Sequence, residues 1–296
     1  MSAAMRDAAE WMPWPAPAKL NLFLHLVGRR DDGYHLLQTV FQLLDWGDEV
    51  RLRVRDDGEI RRIDPLRGVA DEADLGVRAA CALKEATGCA LGADIAIDKR
   101  IPLGGGLGGG SSDAASVLVA LNALWNTGLD DDALAAIGAT LGADVPVFVR
   151  GRSAWAEGVG EHLTPVALPA RWFLVVDPGV SVPTRELFQV PELTRNSARL
   201  TIPLFVSGVA TGNAFEPVVR GRFPAVAAAL DWLRQFGEAR LSGSGGCVFA
   251  AFPSREAGAV ALAEIPDRMR AWLARGVDES PLRQRLAAWR SARAPA

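Results

Sequence analysis

Six of the seven residues from Gly104 to Gly110 are glycine, with Leu107 the exception. Such density suits neither a helix nor a strand, because each glycine loses more backbone entropy on ordering than any other residue. It does let several backbone N–H groups come close to an anion. Ile101-Pro102-Leu103 leads into the run, and residues 112–125 are rich in Ala, Val and Leu, which predicts a helix over Ser112–Trp125. A helix that starts at the end of a glycine loop presents unpaired N–H groups and the positive end of its dipole, so the segment predicts a phosphate cradle rather than a linker. Ser111 and Ser112 add hydroxyls there, and Asp113 suits a first-turn position.

Two familiar phosphate loops fit poorly. No Gly-Lys-Ser/Thr follows the run, as a P-loop requires. Gly104, Gly106 and Gly109 satisfy G-x-G-x-x-G, but the motif lies about a hundred residues into the chain rather than in an opening βαβ unit. A nicotinamide-dependent oxidoreductase is therefore supported by spacing alone. A second glycine loop, Leu241-Ser242-Gly243-Ser244-Gly245-Gly246-Cys247, sits between two short apolar stretches. By itself it reads as a hairpin turn, and paired with the first loop it reads as a second phosphate contact.

The ligand of such a cradle must be held locally. The formal net charge is −3, which gives no global attraction for nucleic acid or membrane surfaces. Apolar residues make up 49% of 296 residues, enough for an ordinary core and for two domains, yet no apolar run approaches a membrane span. With no signal-peptide pattern and an odd count of three cysteines (Cys81, Cys89, Cys247), the expectation is a cytoplasmic chain with free, mostly buried thiols. His25, His35 and His162 are the only histidines, which leaves little for a histidine metal site.

Periodicity predicts strands over Lys19–Val27, Tyr34–Leu44, Glu49–Arg55, Asp94–Ile97, Val145–Val149, Arg171–Val176, Ala239–Leu241, Cys247–Phe252 and Met269–Leu273. It predicts helices over Asp71–Gly88, Ser112–Trp125, Asp130–Leu141, Pro224–Phe236 and Ala257–Ile265. The first dozen residues read as a frayed tail. The elements interleave without regular βα alternation, so the fold class is α+β. A boundary in the proline-bearing Leu163–Pro169 stretch divides the chain into an ATP-binding part, 1–163, and a substrate-side part, 164–296.

Three segments together carry a resemblance: Pro17-Ala18-Lys19-Leu20-Asn21-Leu22, the Pro102–Asp113 glycine run, and the Leu241–Cys247 loop. They resemble the three motifs of the GHMP kinases, small-molecule phosphotransferases that use ATP. Within that family the match is tightest to the branch that phosphorylates the 2-hydroxyl of 4-diphosphocytidyl-2-C-methyl-D-erythritol in the non-mevalonate route to isoprenoid precursors. Arg29–His35 resembles that branch's substrate loop, Ala143–Phe148 its catalytic segment, and Pro178–Thr184 and Gly276–Leu282 further parts of it. The resemblance implies an N-terminal domain like the second domain of ribosomal protein S5 and a ferredoxin-like C-terminal domain. Another GHMP kinase acting on a different alcohol is the alternative, and Gly33-Tyr34-His35 discriminates, since other branches need no cytidine site. A non-catalytic nucleotide-binding protein would need neither Lys19 nor Asp144.

The resemblance also implies roles. Asp144 is the candidate base for the substrate hydroxyl. Lys19 is the candidate partner that keeps Asp144 ionised, orients the hydroxyl and partly neutralises the transferring phosphoryl. Asn21, two residues along a strand from Lys19, faces the same side and is a candidate substrate contact. Tyr34 and Phe188 are candidates to sandwich the cytosine, with His35 at its edge and Thr184 in the same pocket; His25 reads as structural. Lys99, Pro102, Leu103, Gly104, Gly105, Gly106, Leu107, Gly108, Gly109, Gly110, Ser111 and Ser112 form the expected ATP site. Mg²⁺ is expected on the nucleotide, with Ser112 as its candidate protein ligand. Arg152 and Arg185 are candidates for the substrate phosphates. Asp74 stands where the resemblance leads one to expect an amide near the nucleotide. The chain is expected to be a monomer or weak homodimer.

Overall fold

In a computed structural model, residues 10–64, 73–209 and 211–293 are described. The expected first-dozen tail thus falls largely outside them, although Met12 already belongs to a strand. Two long strands, β1 (Met12–Arg29) and β2 (His35–Arg55), pair antiparallel from Met12 opposite Leu52 to Arg29 opposite His35. Periodicity splits β2 in two because Asp45-Trp46-Gly47-Asp48 breaks its apolar pattern, yet the ladder runs through. Gly47 makes that passage, since a Cβ there would lie 2.1 Å from the Ala16 carbonyl oxygen. At the same level β1 shifts register between Pro17 and Lys19. Bulges of this kind re-aim side chains and free backbone groups from the ladder. Here Lys19 N–H turns to the Leu107 carbonyl at 3.0 Å.

The strands β3 (Ile60–Arg62), β4 (Gly92–Asp98), β7 (Trp172–Asp177), β8 (Ala239–Leu241), β9 (Val248–Phe252) and β10 (Arg270–Val277) complete a sheet ordered β3-β4-β2-β10-β7-β9-β8. A short hairpin, β5 (Ala154–Glu157) and β6 (His162–Pro165), adds on β2. This mixed content is the α+β class expected. One apolar core lies between the first sheet region and helices α1 (Leu75–Thr87), α2 (Gly109–Leu124), α3 (Asp131–Leu141) and α4 (Val145–Arg150). A second fills the space between β7, β8 and β9 and the helices of residues 216–233 and 255–263. A third cluster, with Leu20, Leu107, Phe173 and Cys247, joins them beneath the glycine run.

Several expectations are corrected. Val145–Val149 is helical, not a strand: Pro146 sits in the first helical turn, and every residue from Val145 to Val149 is buried. A short helix apolar on all sides shows no period to read. The hairpin at residues 154–165 overlaps the expected domain boundary. The last helix, Pro281–Ser291, returns to the first core through Leu282 and Leu286. Only Cys247 of the three free thiols is buried; Cys81 is exposed and Cys89 half-buried. Among the described residues no helix is long and apolar enough to cross a membrane.

The return of the last helix is testable. Leu282 is fully buried in the N-terminal core. Leu282→Ala is expected to cost about 3 kcal/mol in urea unfolding, in the range for leucine truncation with partial cavity collapse. A loss below about 1 kcal/mol would mean that the helix docks loosely.

Candidate active site

The glycine run is a cradle with alternating backbone hand. Gly104, Gly106 and Gly108 have φ of +69°, +74° and +74°. Alternation of this kind turns successive N–H groups toward one concavity. α2 begins at Gly109 with Gly108 as its cap and no side chain bonded to the first N–H groups. Those donors remain for a ligand. Gly106 and Gly108 could carry no side chain: a Cβ on Gly106 would meet the Ser242 carbonyl oxygen at 2.1 Å, and one on Gly108 the Phe148 ring at 2.8 Å. The second glycine loop is the β8–β9 turn, as its hairpin reading predicts, and it packs backbone to backbone on the first. Cys247 N–H donates to the Gly105 carbonyl at 3.0 Å, and Ser242 Oγ to the Gly106 carbonyl at 3.0 Å.

Lys19 is buried at the centre. Its ammonium donates to Asn21 Oδ1 at 2.5 Å and to the Gly106 carbonyl at 3.0 Å, and lies 3.2 Å from Asp144 Oδ2. Asn21 Nδ2 donates in turn to Thr39 Oγ1 at 2.9 Å, so Asn21 is fixed and faces the lysine. Asp144 ends the turn before α4 and keeps part of its carboxylate exposed to the cleft. The structure thus brings together Lys19, Asn21 and Asp144, which lie 125 residues apart at their extremes (144 − 19).

The cleft is continuous. At one end, residues 101–111 with Lys99, Leu75 and Thr184 surround a hollow of about 460 Å³. Gly106, Gly108, Ser111 and Thr184 also line the central part, of about 350 Å³, with Lys19, Asn21 and Asp144. Leu37, Ala143, Val159 and Phe188 carry it into a far end of about 640 Å³ that holds Tyr34, His35, Arg29, Arg185 and Arg195. Tyr34 is 64% exposed there, while the His35 and Phe188 rings pack at 5.0 Å and 32°. Thr184 lies nearer the cradle than the far end, its Oγ1 2.5 Å from Ser244 Oγ on the second glycine loop. A separate cavity of about 640 Å³, lined by Leu22, Phe173, Phe205 and Arg240, shares no residue with this cleft.

Some expected contacts are committed elsewhere. Ser112 is fully buried and its hydroxyl donates to the Pro17 carbonyl at 2.6 Å, one turn before Ser116, which donates to the Pro15 carbonyl at 2.8 Å. These two serines stitch α2 to the bulged strand, and Ser111 is the one that faces the cleft. The Lys99 ammonium sits between Asp48 and Asp113, 2.7 Å from the latter, behind the cradle. Burial alone would lower its pKa, but the two carboxylates outweigh that and raise it. Asp48 also accepts from the Arg100 and Ile101 N–H groups at 2.6 and 2.7 Å, so the triad anchors the chain where it enters the glycine run. Asp74 serves as the N-cap of α1, accepting from Gly76 N–H at 2.8 Å, and pairs with Arg62 at 3.0 Å. Its charge is thereby spent on the helix and on Arg62. Arg152 does not line the cleft; Arg185 does. His25 bonds the Ala198 carbonyl at 3.2 Å and lies outside it.

Burial pushes the Asp113 carboxyl up to about 7, with Lys99 opposing and Asp48 adding to the rise. An unfolded chain loses this proton near 3.8, whereas the fold keeps it to about 7. Over that window the folded state binds the extra proton, so this group's contribution to stability falls as pH rises. Melting temperatures from about pH 4 to pH 7 are expected to fall more steeply for the parent protein than for Asp113→Asn. Equal slopes would remove the assignment.

Comparison with known proteins agrees with this geometry. The model of the GHMP kinases N terminal domain matches residues 74–152, and that of the GHMP kinases C terminal domain matches residues 193–271. The chain is 60% identical over 282 residues to a 4-diphosphocytidyl-2-C-methyl-D-erythritol kinase of Xanthomonas axonopodis pv. citri (strain 306), covering 94% of this chain and 96% of that protein. It is 60% identical over 281 residues to the kinase of the same name from Halorhodospira halophila (strain DSM 244 / SL1), covering 94% and 97%. A crystal structure of 4-(cytidine 5'-diphospho)-2C-methyl-D-erythritol kinase superposes with a TM-score of 0.77 at 37% identity, over 90% of this chain and all of the other.

Proposed function

The chain belongs to the GHMP kinases, and from that premise we propose that it transfers the γ-phosphate of ATP to the 2-hydroxyl of 4-diphosphocytidyl-2-C-methyl-D-erythritol. The observation that carries this reading is the order of parts along one cleft: a glycine cradle, then the Lys19–Asp144 pair, then the Tyr34–His35–Phe188 end. A nucleotide triphosphate in the cradle points its γ-phosphate at Asp144. A cytidyl group at the aromatic end reaches back with its alcohol to the same carboxylate.

The bond that forms joins the alcohol oxygen to the γ-phosphorus, and the bond that breaks releases ADP. The hydroxyl proton passes to Asp144. The transition state of phosphoryl transfer carries charge on the γ-oxygens, and the free N–H groups at the start of α2 face it. The Lys19 ammonium donates to Asn21 and Gly106 and is ion-paired with Asp144. Lys19 therefore works chiefly by holding the Asp144 carboxylate in place, and bears on the phosphoryl through its field. Asn21 orients Lys19 rather than the substrate. Exposed Arg185 suits the substrate's diphosphate.

Mg²⁺ on the nucleotide is part of this proposal. Among the described residues no three His, Cys, Asp or Glu side chains form a ligand set. The Ser111 hydroxyl lines the cradle without a hydrogen-bond partner among them, so a nucleotide-held ion would take Ser111 and water rather than Ser112. The ion would neutralise β- and γ-oxygens. Free cysteines and a nucleotide substrate support a cytoplasmic setting for this reaction.

A coupled ADP-release assay with MgATP and the cytidyl alcohol tests the reading. ADP is expected with this substrate, and Asp144→Asn is expected to lower kcat by about 10²- to 10⁴-fold with little change in ATP binding. ATP binding without ADP release would leave a kinase with another alcohol as acceptor. An Asp144→Asn rate within about tenfold of the parent's would reduce Asp144 to an orienting group.

A further inference from the structure

Arg195 stands out at the far end of the cleft because four of its five N–H donors are spent inside the protein. Its Nε donates to His35 Nε2 at 3.1 Å, Nη1 to the Leu193 carbonyl at 3.0 Å, and Nη2 to the Phe188 and Val190 carbonyls at 3.0 and 2.7 Å. No carboxylate among the described residues pairs with it at ion-pair distance, so its attachments are to one imidazole and three backbone carbonyls.

An arginine has no lone pair to accept with and keeps its protons at any working pH. A nitrogen that accepts from it must carry the lone pair. His35 Nε2 is that nitrogen, which makes the ring neutral and puts its hydrogen on Nδ1. A doubly protonated ring would set N–H against N–H and cation against cation. The pKa of His35 moves the same way: it is lowered, by burial first and then by Arg195 and Arg29. Among the described residues no protein group accepts from Nδ1, so that donor is left for whatever enters between Tyr34 and Phe188. The same guanidinium holds the Phe188 carbonyl, and the Phe188 ring lies against His35.

We infer that Arg195 is a positioning residue for base recognition: it bridges His35 Nε2 to the carbonyls of Phe188, Val190 and Leu193, and so fixes His35 as a neutral Nδ1–H donor beside the Phe188 ring. The site then selects a planar ring with an acceptor on its edge. A cytosine offers N3 and O2 for such a donor. This inference rests on the cytidyl reading of the far end. It assigns Arg185, not Arg195, to the phosphates, because Arg185 has no ion pair or hydrogen bond among the described residues and Arg195 has no donor pair to spare.

Two measurements test it. Long-range ¹⁵N–¹H correlation spectra of the labelled, unmutated chain report the tautomer without substrate, and loss of one signal set in His35→Gln identifies His35 among the three histidines. The hydrogen is expected on Nδ1; a hydrogen on Nε2 overturns the proposal. Titration of Arg195→Met with cytidine 5'-monophosphate and, separately, with ATP gives the second readout. The cytidine nucleotide is expected to bind about tenfold more weakly while ATP binding holds, and KM for the cytidyl alcohol is expected to rise more than kcat falls. Equal weakening of both nucleotides would show a merely structural arginine and overturn it. If the unmutated chain bound no cytidine nucleotide and failed to phosphorylate the cytidyl alcohol, the base itself would be wrong, and that failure is separable from a wrong tautomer.

Discussion

The Gly106 carbonyl accepts from Lys19 Nζ and from Ser242 Oγ, both at 3.0 Å, and its neighbour Gly105 accepts from Cys247 N–H. Through these bonds one turn of backbone joins three parts of the chain: the bulged first strand, the glycine run and the late hairpin. Contact this close between two main chains excludes side chains at the crossing. A Cβ on Gly246 would lie 2.7 Å from the Gly104 carbonyl oxygen. The glycines are therefore needed for the fold as much as for a ligand. The same packing that shapes the anion cradle also places the lysine beside Asp144.

Charge is handled in layers. The chain is net negative, so an anionic ligand is drawn by local geometry rather than by overall field. The N–H groups at the start of α2 face the cleft. Behind them, Lys99 is clamped by Asp48 and Asp113 and supplies no free cation. Its place is to hold the entry to the loop, where Asp48 takes two backbone N–H groups. A buried lysine paired with two carboxylates contributes more to a fixed loop geometry than to net stability, because desolvation offsets much of its attraction.

The sequence made much of the fold legible, and its failures have physical causes. Helices with one polar face, such as α1 and α3, show their period and lie within a few residues of expectation. α4 does not show it, since all its residues from Val145 to Val149 are buried. The unbroken β2 ladder across Gly47 depends on close approach of β1, a contact between residues far apart in sequence. Arg195 went unread for the same reason: its partner His35 lies 160 residues away, and nothing in the Leu193–Arg199 stretch marks the arginine as more than a surface charge.

The sequence by itself marked the glycine cradle, and its motifs' resemblance to a family named the lysine and aspartate that the fold then pairs. Glycine density, motif spacing and residue chemistry are local properties, and they survive in a string of letters. Only the tertiary structure decided which neighbour of each pair does what. Ser111 faces the cleft while Ser112 is buried, because helical rotation of about 100° per residue turns adjacent side chains to different surroundings. Lys99 is a brace and Lys19 the central cation, because burial and partners, not residue type, set where a charge can act.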